Sequence, residues 1–209
     1  MPHSRIVRFI GDVHGYHREY KALLRNIPES VQVGDMGVGF PDNKEQGFST
    51  FAVPGVHRFI RGNHDNPSVA KSMSNYIYDG CREAGVMYVG GALSIDRRFR
   101  TSETWWEDEQ LSHEELWALC KKYKEYGPAV MVTHDCPESI VGSLFDDYNH
   151  GYKDPSRTRN GFEEYFNMHQ PKLWIFGHWH RSVRKTINGT TFICLAELET
   201  LDIDLGEYT

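Results

Sequence analysis

The sequence predicts an α/β fold, on the evidence of two recurring features. Short apolar runs end in polar turns that contain glycine, at residues 11–15, 34–37 and 61–65. Segments with helical patterning follow the first and third of these turns. A strand, a tight turn and a helix in succession are typical of a sheet covered by helices, whose carboxyl edge binds ligands. The polar side chains of these turns are therefore candidates for a functional site.

Apolar runs and their flanking turn residues give the strands in chain order. Two hairpins are predicted, at Gly90-Gly91 and at Asn188-Gly189, because such dipeptides favour tight turns. The predicted strands cover residues 6–10, 31–33, 56–60, 86–89, 92–95, 129–132, 172–176, 183–187, 190–195 and, as an edge strand, 201–205.

Proline and capping residues give two of the helix starts. Pro67 is predicted in the first turn of a helix, where its missing N–H is not needed. Ser112 and Glu115 have the spacing of a capping box. The predicted helices cover residues 16–25, 67–75, 112–126 and 161–169, and residues 38–50 and 138–160 are predicted loops.

Length, charge and hydropathy restrict the class of protein. For 209 residues we expect a single domain over residues 1–209. The formal net charge of -6 argues against stable binding to nucleic acid or to an anionic membrane. No apolar run could span a bilayer and the N-terminus lacks a signal-peptide core, so a cytoplasmic location is expected. The four cysteines are too scattered for a zinc or redox motif, and reduced thiols are expected.

Acids, histidines and one asparagine follow five of the predicted strands. Each motif alone has an ordinary reading as a turn, a helix cap or a core histidine, but their conjunction predicts a metal site. Oxygen and nitrogen donors without thiolate suit manganese, iron or zinc, and one acid can bridge two ions. The residues are Asp12, His14, Asp35, Asn63, His64, His134, His178 and His180.

These motifs resemble the calcineurin-like metallophosphoesterases, whose pattern is Asp-x-His, Gly-Asp, Gly-Asn-His-Glu/Asp, His and Gly-His-x-His. The resemblance runs from Asp12 to His180 and implies an αββα sandwich, two facing sheets flanked by helices. It also implies two divalent metal ions, with manganese as the first choice and iron, zinc or nickel as alternatives. The implied ligands are Asp12, His14 and His180 for one ion, Asn63, His134 and His178 for the other, and Asp35 as the bridge.

The resemblance also implies an activity, that of a metal-dependent phosphatase or phosphodiesterase. Two cations neutralise the charge of a phosphate ester and lower the pKa of a bridging water, and the resulting hydroxide attacks phosphorus. His64 would act on the leaving group or on a phosphoryl oxygen. Asp65 would orient His64 or a metal ligand. The substrate would be a phosphate ester, with a nucleotide, a cyclic nucleotide and a phosphoprotein as the candidates.

The Gly-Asp motif departs from that of the serine/threonine protein phosphatases. It continues as Met36-Gly37, where those enzymes have Asp-Arg-Gly, so an acid and a phosphate-holding arginine are missing. The ending Gly-His-x-His is similar to that of phosphodiesterases, nucleases and small bacterial or phage phosphoesterases. The stretch from Trp105-Trp106 to Glu109 resembles such small metallophosphoesterases.

Further residues are candidates for substrate contact, each with a structural alternative. Arginines after a predicted strand could reach phosphate oxygens or form a solvated face. Two tryptophans could stack on a base or pack beneath a helix. The long loop could form a lid or contact a partner, and Arg61 could face either way. The residues are Arg97, Arg98 and Arg100; Trp105 and Trp106; and His150, Tyr152, Arg157 and Arg159.

Two other functions remain to be weighed. A metal-dependent nuclease is disfavoured by the acidic balance of the chain and by the absence of a long basic groove in its sequence. A protein-binding scaffold on the same fold should have lost metal ligands, whereas all seven candidate ligands and His64 are present.

Overall fold

The structure is a computed structural model, and it describes residues 4–41, 53–145 and 155–208. Within these residues the strands form two sheets. The strands are β1 Ile6–Ile10, β2 Glu29–Gln32, β3 Val56–Phe59, β4 Cys81–Glu83, β5 Val86–Val89, β6 Val130–Thr133, β7 Leu173–Phe176, β8 Val183–Ile187, β9 Thr190–Cys194 and β10 Thr200–Asp204.

One sheet has the strand order β10-β1-β2-β3 and the other has the order β4-β5-β6-β7-β9-β8. In the smaller sheet β1, β2 and β3 are parallel, and β10 pairs with β1 in the antiparallel direction. In the larger sheet β5, β6, β7 and β9 are parallel, while the outer strands β4 and β8 are antiparallel. Parallel neighbours place their carboxyl ends, and the loops that follow them, at one edge of each sheet.

Helices cover the outer face of each sheet. They are α1 His17–Leu23, α2 Pro67–Ser72, α3 His113–Tyr126, α4 Glu138–Leu144 and α5 Arg157–Met168. Residues of α1 and α2 pack with Ile10 and Phe59 of the small sheet. Residues of α3, α4 and α5 pack on Trp174 and Phe192 of the large sheet.

The inner faces of the two sheets form a third apolar layer, in which Phe9 and Val31 meet Val132 and Ile175. Burial of apolar surface in these three layers is the main force that holds the sheets and helices together. The layers give the αββα sandwich that the sequence resemblance implies, so that prediction is confirmed.

Local turn and capping chemistry confirms several predicted elements. Asn188 and Gly189 both have positive φ, +50° and +83°, as the tight turn between β8 and β9 requires. Residues 200–204 form the predicted edge strand. The Ser112 side chain accepts from the Glu115 backbone and the Glu115 side chain accepts from the Ser112 backbone, which closes the predicted capping box.

The predicted hairpin over residues 86–95 is wrong. β5 pairs with β4 instead, and residues 92–95 form no strand. The Gly90 N–H donates to Asp79 Oδ1 at 2.6 Å, and the Gly91 N–H donates to the Arg61 carbonyl at 2.8 Å. These bonds carry the chain past the end of β3 rather than back along β5.

The predicted loop over residues 138–160 is also wrong in part, because α4 occupies residues 138–144 and α5 begins at residue 157 rather than 161. Ile140 and Val141 of α4 are buried against the large sheet, and the Ser156 hydroxyl caps α5. His150 and Tyr152 lie outside the described residues, as does most of the predicted loop over 38–50.

Two smaller expectations concern cysteines and membrane segments. The four cysteines are unpaired, and Cys136 and Cys194 are buried while Cys81 and Cys120 are half-buried. Among the helices of the described residues, none combines the length and the apolar character needed to cross a bilayer.

The capping box of α3 gives a test of the fold. Ser112→Ala removes the acceptor 3.1 Å from the Glu115 N–H, so we expect the free energy of unfolding to fall by about 0.5–2 kcal/mol. Urea denaturation followed by circular dichroism measures the change. Ser102→Ala, at an exposed loop position, is the control and should leave the unfolding midpoint in place. Equal midpoints for both variants would show that the box contributes nothing.

Candidate metal centre

The predicted site residues lie on five loops at the carboxyl ends of strands. Three loops follow β1, β2 and β3 of the small sheet, and two follow β6 and β7 of the large sheet. The two sheets therefore contribute to one site. In chain order the residues are Asp12 and His14, Asp35, Asn63 and His64, His134, and His178 and His180.

Two glycines allow these loops to approach each other closely. A Cβ atom at Gly62 would lie 2.0 Å from Asp35 Oδ1, and one at Gly177 would lie 2.2 Å from Asp12 Oδ1. Both distances are far below van der Waals contact, so any side chain at either position would displace a carboxylate. The glycines of the Gly-Asn-His-Asp and Gly-His-Trp-His motifs are therefore required by packing as well as by turn geometry.

Several site residues adopt left-handed backbone conformations. His14, Asp35, His178 and His180 have φ values of +48°, +59°, +68° and +51°. Such conformations are unfavourable for residues with a Cβ atom and often occur at functional sites. Hydrogen bonds within the site hold them. The Asp35 carbonyl accepts from the N–H groups of Val13 and His14, at 2.9 and 2.8 Å.

The first group of donors consists of Asp12, His14, Asp35 and His180, whose ligand atoms lie within 4.8 Å of one another. His180 Nε2 lies 3.1 Å from Asp12 Oδ2, and His14 Nε2 lies 2.9 Å from His180 Nε2. His14 Nε2 also lies 3.7 Å from Asp35 Oδ2. Two imidazole nitrogens and two carboxylates that converge in this way fit a divalent transition-metal ion.

The second group consists of Asp35, His134 and His178, whose ligand atoms are equally close. His134 Nε2 lies 3.2 Å from Asp35 Oδ1 and 3.1 Å from the side-chain oxygen of Asn63. On the other edge of the ring, His134 Nδ1 donates to the Val33 carbonyl at 2.9 Å. That bond orients the ring so that Nε2, the nitrogen that a metal ion would bind, faces the site. The donor sets of the two groups would fit two cations that share Asp35 as a ligand.

Burial and neighbouring charges determine the protonation of this cluster. Burial alone would raise the pKa of Asp35, but the imidazoles of His134, His64 and His14 hold the pKa of that carboxyl well below its usual value. Burial alone would lower the pKa of His134, but Asp35 raises that pKa instead. Asp35 and His134 therefore form an ion pair without a metal, and a cation that binds His134 must displace its proton.

A chain of hydrogen bonds orients the Asn63 amide. Asn63 Nδ2 donates to Ser94 Oγ at 3.1 Å, and Ser94 Oγ donates to Glu109 Oε2 at 2.6 Å. Glu109 Oε1 accepts from the Ser94 backbone at 2.8 Å, and all three residues are buried. Because the carboxylate accepts the Ser94 hydroxyl proton, Ser94 must accept from the amide nitrogen. The Asn63 oxygen is thus turned towards His134.

Sequence reasoning missed the role of Glu109 and Ser94. Glu109 lies in a segment rich in charged and aromatic residues, where a buried acid looks like any surface acid. Burial raises the pKa of Glu109 despite the bonds from Ser94. The only available sequence feature was its position three residues after Trp106 in the stretch that resembles small metallophosphoesterases.

His64 lies beside the donor groups rather than within them. Its backbone N–H donates to Asp35 Oδ1 at 2.6 Å, and its ring lies edge-on to the His14 ring at 4.7 Å. The Phe40 ring is stacked parallel to the His64 ring, with 5.7 Å between centroids, and Arg100 Nη2 contacts His64 Nε2. Burial lowers the pKa of His64 to about 4, and the Arg100 charge contributes to the shift. The imidazole is therefore neutral at pH 7 when the site holds no anion.

Asp65 contacts the main chain of two loops. Its carboxylate accepts from the N–H groups of Met36, Gly37, Val38 and Gly62 at 2.8–3.2 Å. The side chain is fully buried. Asp65 thus joins the loop after β2, which carries Asp35, to the loop after β3, which carries Asn63 and His64.

Asp135 lies on the other side of the site, beside His178. Its Oδ1 accepts from the Trp179 indole at 3.0 Å and from the Cys136 backbone at 2.8 Å, and its Oδ2 lies 3.9 Å from His178 Nε2. Arg159 Nη1 lies 3.8 Å from the same Oδ2 and pairs with Glu138. Arg159 therefore holds the acid that lies beside His178, and it is not part of a lid.

The other candidate substrate residues divide between structure and surface. Arg61 is buried, pairs with Asp79 at 3.1 Å and donates to the Asp108 and Glu109 carbonyls, so it holds the segment before α3 in place. Trp106 is half-buried and meets Phe40 edge-on at 5.3 Å. Arg97 and Trp105 line a cavity of about 260 Å³ with Arg157, and Arg97 and Arg98 are exposed.

Comparison with solved structures finds other proteins whose fold is similar to that of this chain. The phosphopantetheinyl hydrolase of Mycobacterium tuberculosis has a TM-score of 0.58 and 11% identity, with 94% of this chain and 91% of that chain covered. A Staphylococcus aureus protein, provisionally assigned as a 5′-nucleotidase, has a TM-score of 0.52 and 15% identity over 95% of this chain. This chain spans only 50% of that protein. At these identities the likeness concerns the fold alone.

A protein-family model matches the part of the chain that contains every motif of the site. No curated protein sequence matches this chain. The family model of the calcineurin-like phosphoesterases matches residues 7–182, which include all of the residues from Asp12 to His180 described above. The chain belongs to the calcineurin-like phosphoesterase family.

Proposed function

We propose that this protein is a dimetal phosphoesterase that hydrolyses phosphomonoesters or phosphodiesters. The observation that carries the proposal is the position of Asp35 in a member of this family: its carboxylate belongs to both donor groups, with Oδ2 3.7 Å from His14 Nε2 and Oδ1 3.2 Å from His134 Nε2. Manganese is the metal that we place first, with iron, zinc or nickel as alternatives. We assign Asp12, His14 and His180 to one ion, Asn63, His134 and His178 to the other, and Asp35 to both.

Two bound cations would neutralise the charge of a phosphate ester and lower the pKa of a water molecule at phosphorus. The chain supports them by fixing ligand orientation: Val33 sets the His134 ring, and Ser94 with Glu109 sets the Asn63 amide. Asp65 is a positioning residue that joins two ligand loops. Ligands held by such contacts lose little conformational entropy when the ions bind.

His64 is placed to act on the phosphate ester. It lies against His14 and Asp35 without being part of either donor group. A phosphate beside it adds negative charge, which favours the protonated imidazole. On substrate binding His64 would take up a proton from solvent, and it would then deliver that proton to the leaving alkoxide.

A nucleotide is the phosphate ester that we place first among substrates. Phe40 and Trp106 form a half-buried aromatic pair next to His64, and an aromatic face can stack on a base. The fold likeness to a protein assigned as a 5′-nucleotidase is compatible with this choice.

The function is tested by activity and metal content together. Loaded with manganese, the protein should hydrolyse p-nitrophenyl phosphate or bis-p-nitrophenyl phosphate. Asp35→Asn should remove most of the bound metal, measured by plasma mass spectrometry after gel filtration, because both donor groups lose a charged ligand. Asp202→Asn, at a surface ion pair with Arg8, is the matched control and should retain metal. A metal-bound wild type that is silent on both esters would favour a protein-binding scaffold.

The role of His64 is tested by the separation of turnover from metal content. His64→Ala should lower kcat by about 10²–10⁴-fold, the usual contribution of a proton-transferring side chain, while the metal content stays near that of the wild type. His113→Ala, at the exposed start of α3, is the control. If His64→Ala loses its metal as well, His64 is a ligand and the assigned role is wrong.

The positioning role of Asp65 predicts a loss of stability. Asp65→Asn exchanges one acceptor oxygen for an N–H donor beside four backbone N–H groups, so the free energy of unfolding should fall by about 1–3 kcal/mol. Asp108→Asn, at an exposed position, should show no such loss in the same denaturation experiment. A fully stable Asp65→Asn protein with reduced turnover would instead point to direct participation in the reaction.

A further inference from the structure

Arg100 is turned into the site although its neighbours face solvent. Residues 95–99 are exposed, whereas the Arg100 side chain is only 7% exposed. Its Nε lies 2.8 Å from Asp96 Oδ1, and its Nη1 donates to the Thr104 carbonyl at 3.3 Å. These two contacts hold the guanidinium, and its Nη2 contacts His64 Nε2.

The contact with His64 has a defined direction. A guanidinium stays protonated and has donors only, so His64 Nε2 is the acceptor in the neutral imidazole, the form present before substrate binds. The guanidinium has five N–H groups, and its contacts within the described residues use three of them. Donors therefore remain for an anion. The His64 ring that Arg100 contacts lies 4.7 Å, between ring centroids, from the ring of the candidate ligand His14, so the guanidinium lies beside the candidate metal centre.

We propose that Arg100 binds a phosphoryl oxygen of the substrate and that it makes the site prefer phosphomonoesters to phosphodiesters. This inference rests on the proposed function. A monoester has three non-bridging oxygens and up to two negative charges, whereas a diester has two such oxygens and one charge. A site with two cations and an arginine matches the monoester. Planar guanidinium groups bind phosphate oxygens in a bidentate way that a lysine cannot reproduce.

Arg100 enters the site from a different segment of the chain than the Gly-Asp loop. The loop after β2 continues as Met36-Gly37 and supplies no arginine to the site. Arg100 reaches the same pocket from the segment between β5 and α3, which Arg61 fastens by its bonds to the Asp108 and Glu109 carbonyls. An arginine that is already fixed by Asp96 and Thr104 loses little side-chain entropy when it binds phosphate.

Calorimetry with inorganic phosphate tests the contact without turnover. In the manganese-loaded protein, Arg100→Ala should weaken phosphate binding by about 10- to 100-fold, the usual effect of losing a charge-assisted hydrogen bond in a buried site. Arg98→Ala is the matched control, because Arg98 is exposed and packs on the Phe99 ring at 4.8 Å. Arg98→Ala should bind phosphate as the wild type does. Equal affinities of the two variants would overturn the proposal.

Kinetics test the preference between esters. The ratio of kcat/KM for p-nitrophenyl phosphate to that for bis-p-nitrophenyl phosphate should fall by about tenfold in Arg100→Ala and stay constant in Arg98→Ala. An unchanged ratio would overturn the proposed preference. Arg100→Lys keeps the charge without the planar fork, so it should lie between the wild type and Arg100→Ala. If Arg100→Ala loses metal or fails to fold, the same comparisons are made with Arg100→Lys instead.

The outcomes for Arg100 and for the proposed function are separable. A wild type that binds manganese and phosphate but hydrolyses neither ester contradicts the phosphoesterase, and the calorimetric comparison still decides whether Arg100 holds phosphate. A wild type that hydrolyses both esters, with unchanged phosphate affinity in Arg100→Ala, keeps the phosphoesterase and removes Arg100 from substrate binding.

Discussion

The burial of two carboxylates between the ends of two sheets is the constraint on which this structure depends. Asp12 and Asp35 are 0% and 1% exposed, and a buried charge is costly unless other groups compensate it. Backbone N–H groups and imidazoles surround both: Asp12 accepts from His178 N at 3.1 Å, and Asp35 accepts from His64 N at 2.6 Å. The positive φ values and the close glycines follow from the need to bring these groups together.

The two acids have different imidazole neighbours: His180 Nε2 and His14 Nε2 lie 3.1 and 3.8 Å from Asp12 Oδ2. Asp35 is surrounded by His134, His64 and His14, and it forms an ion pair with His134 in the absence of a metal. Other buried acids, Asp65 and Glu109, accept hydrogen bonds from main-chain and hydroxyl donors and hold loops or a ligand amide. Buried acids around this pocket thus have different tasks, and their partners distinguish them better than their spacing in the sequence does.

The sequence predicted the layered fold and the gathering of the motif residues because both depend on local patterns. Strand-end motifs such as Gly-Asp and Gly-His-Trp-His can be read one at a time. Prediction from the sequence failed where contacts with residues distant in the chain determine the conformation. The segment after Gly90 looked like the second half of a hairpin, but Asp79 and Arg61 redirect it. Glu109 looked like a surface acid, and the sequence did not distinguish Arg100 from the exposed Arg97 and Arg98, because nothing local marks the turns that bury these two side chains.

The division of the ligands between two sheets has a consequence for the folded state. Loops from β1, β2 and β3 belong to one sheet, and loops from β6 and β7 belong to the other. A cation that binds Asp35 from the small sheet and either His134 or His178 from the large sheet would cross-link the two sheets at their common edge. The free energy of metal binding would then add to the free energy that holds one sheet against the other. A chelator should therefore lower the stability of the whole folded domain as well as remove the metal.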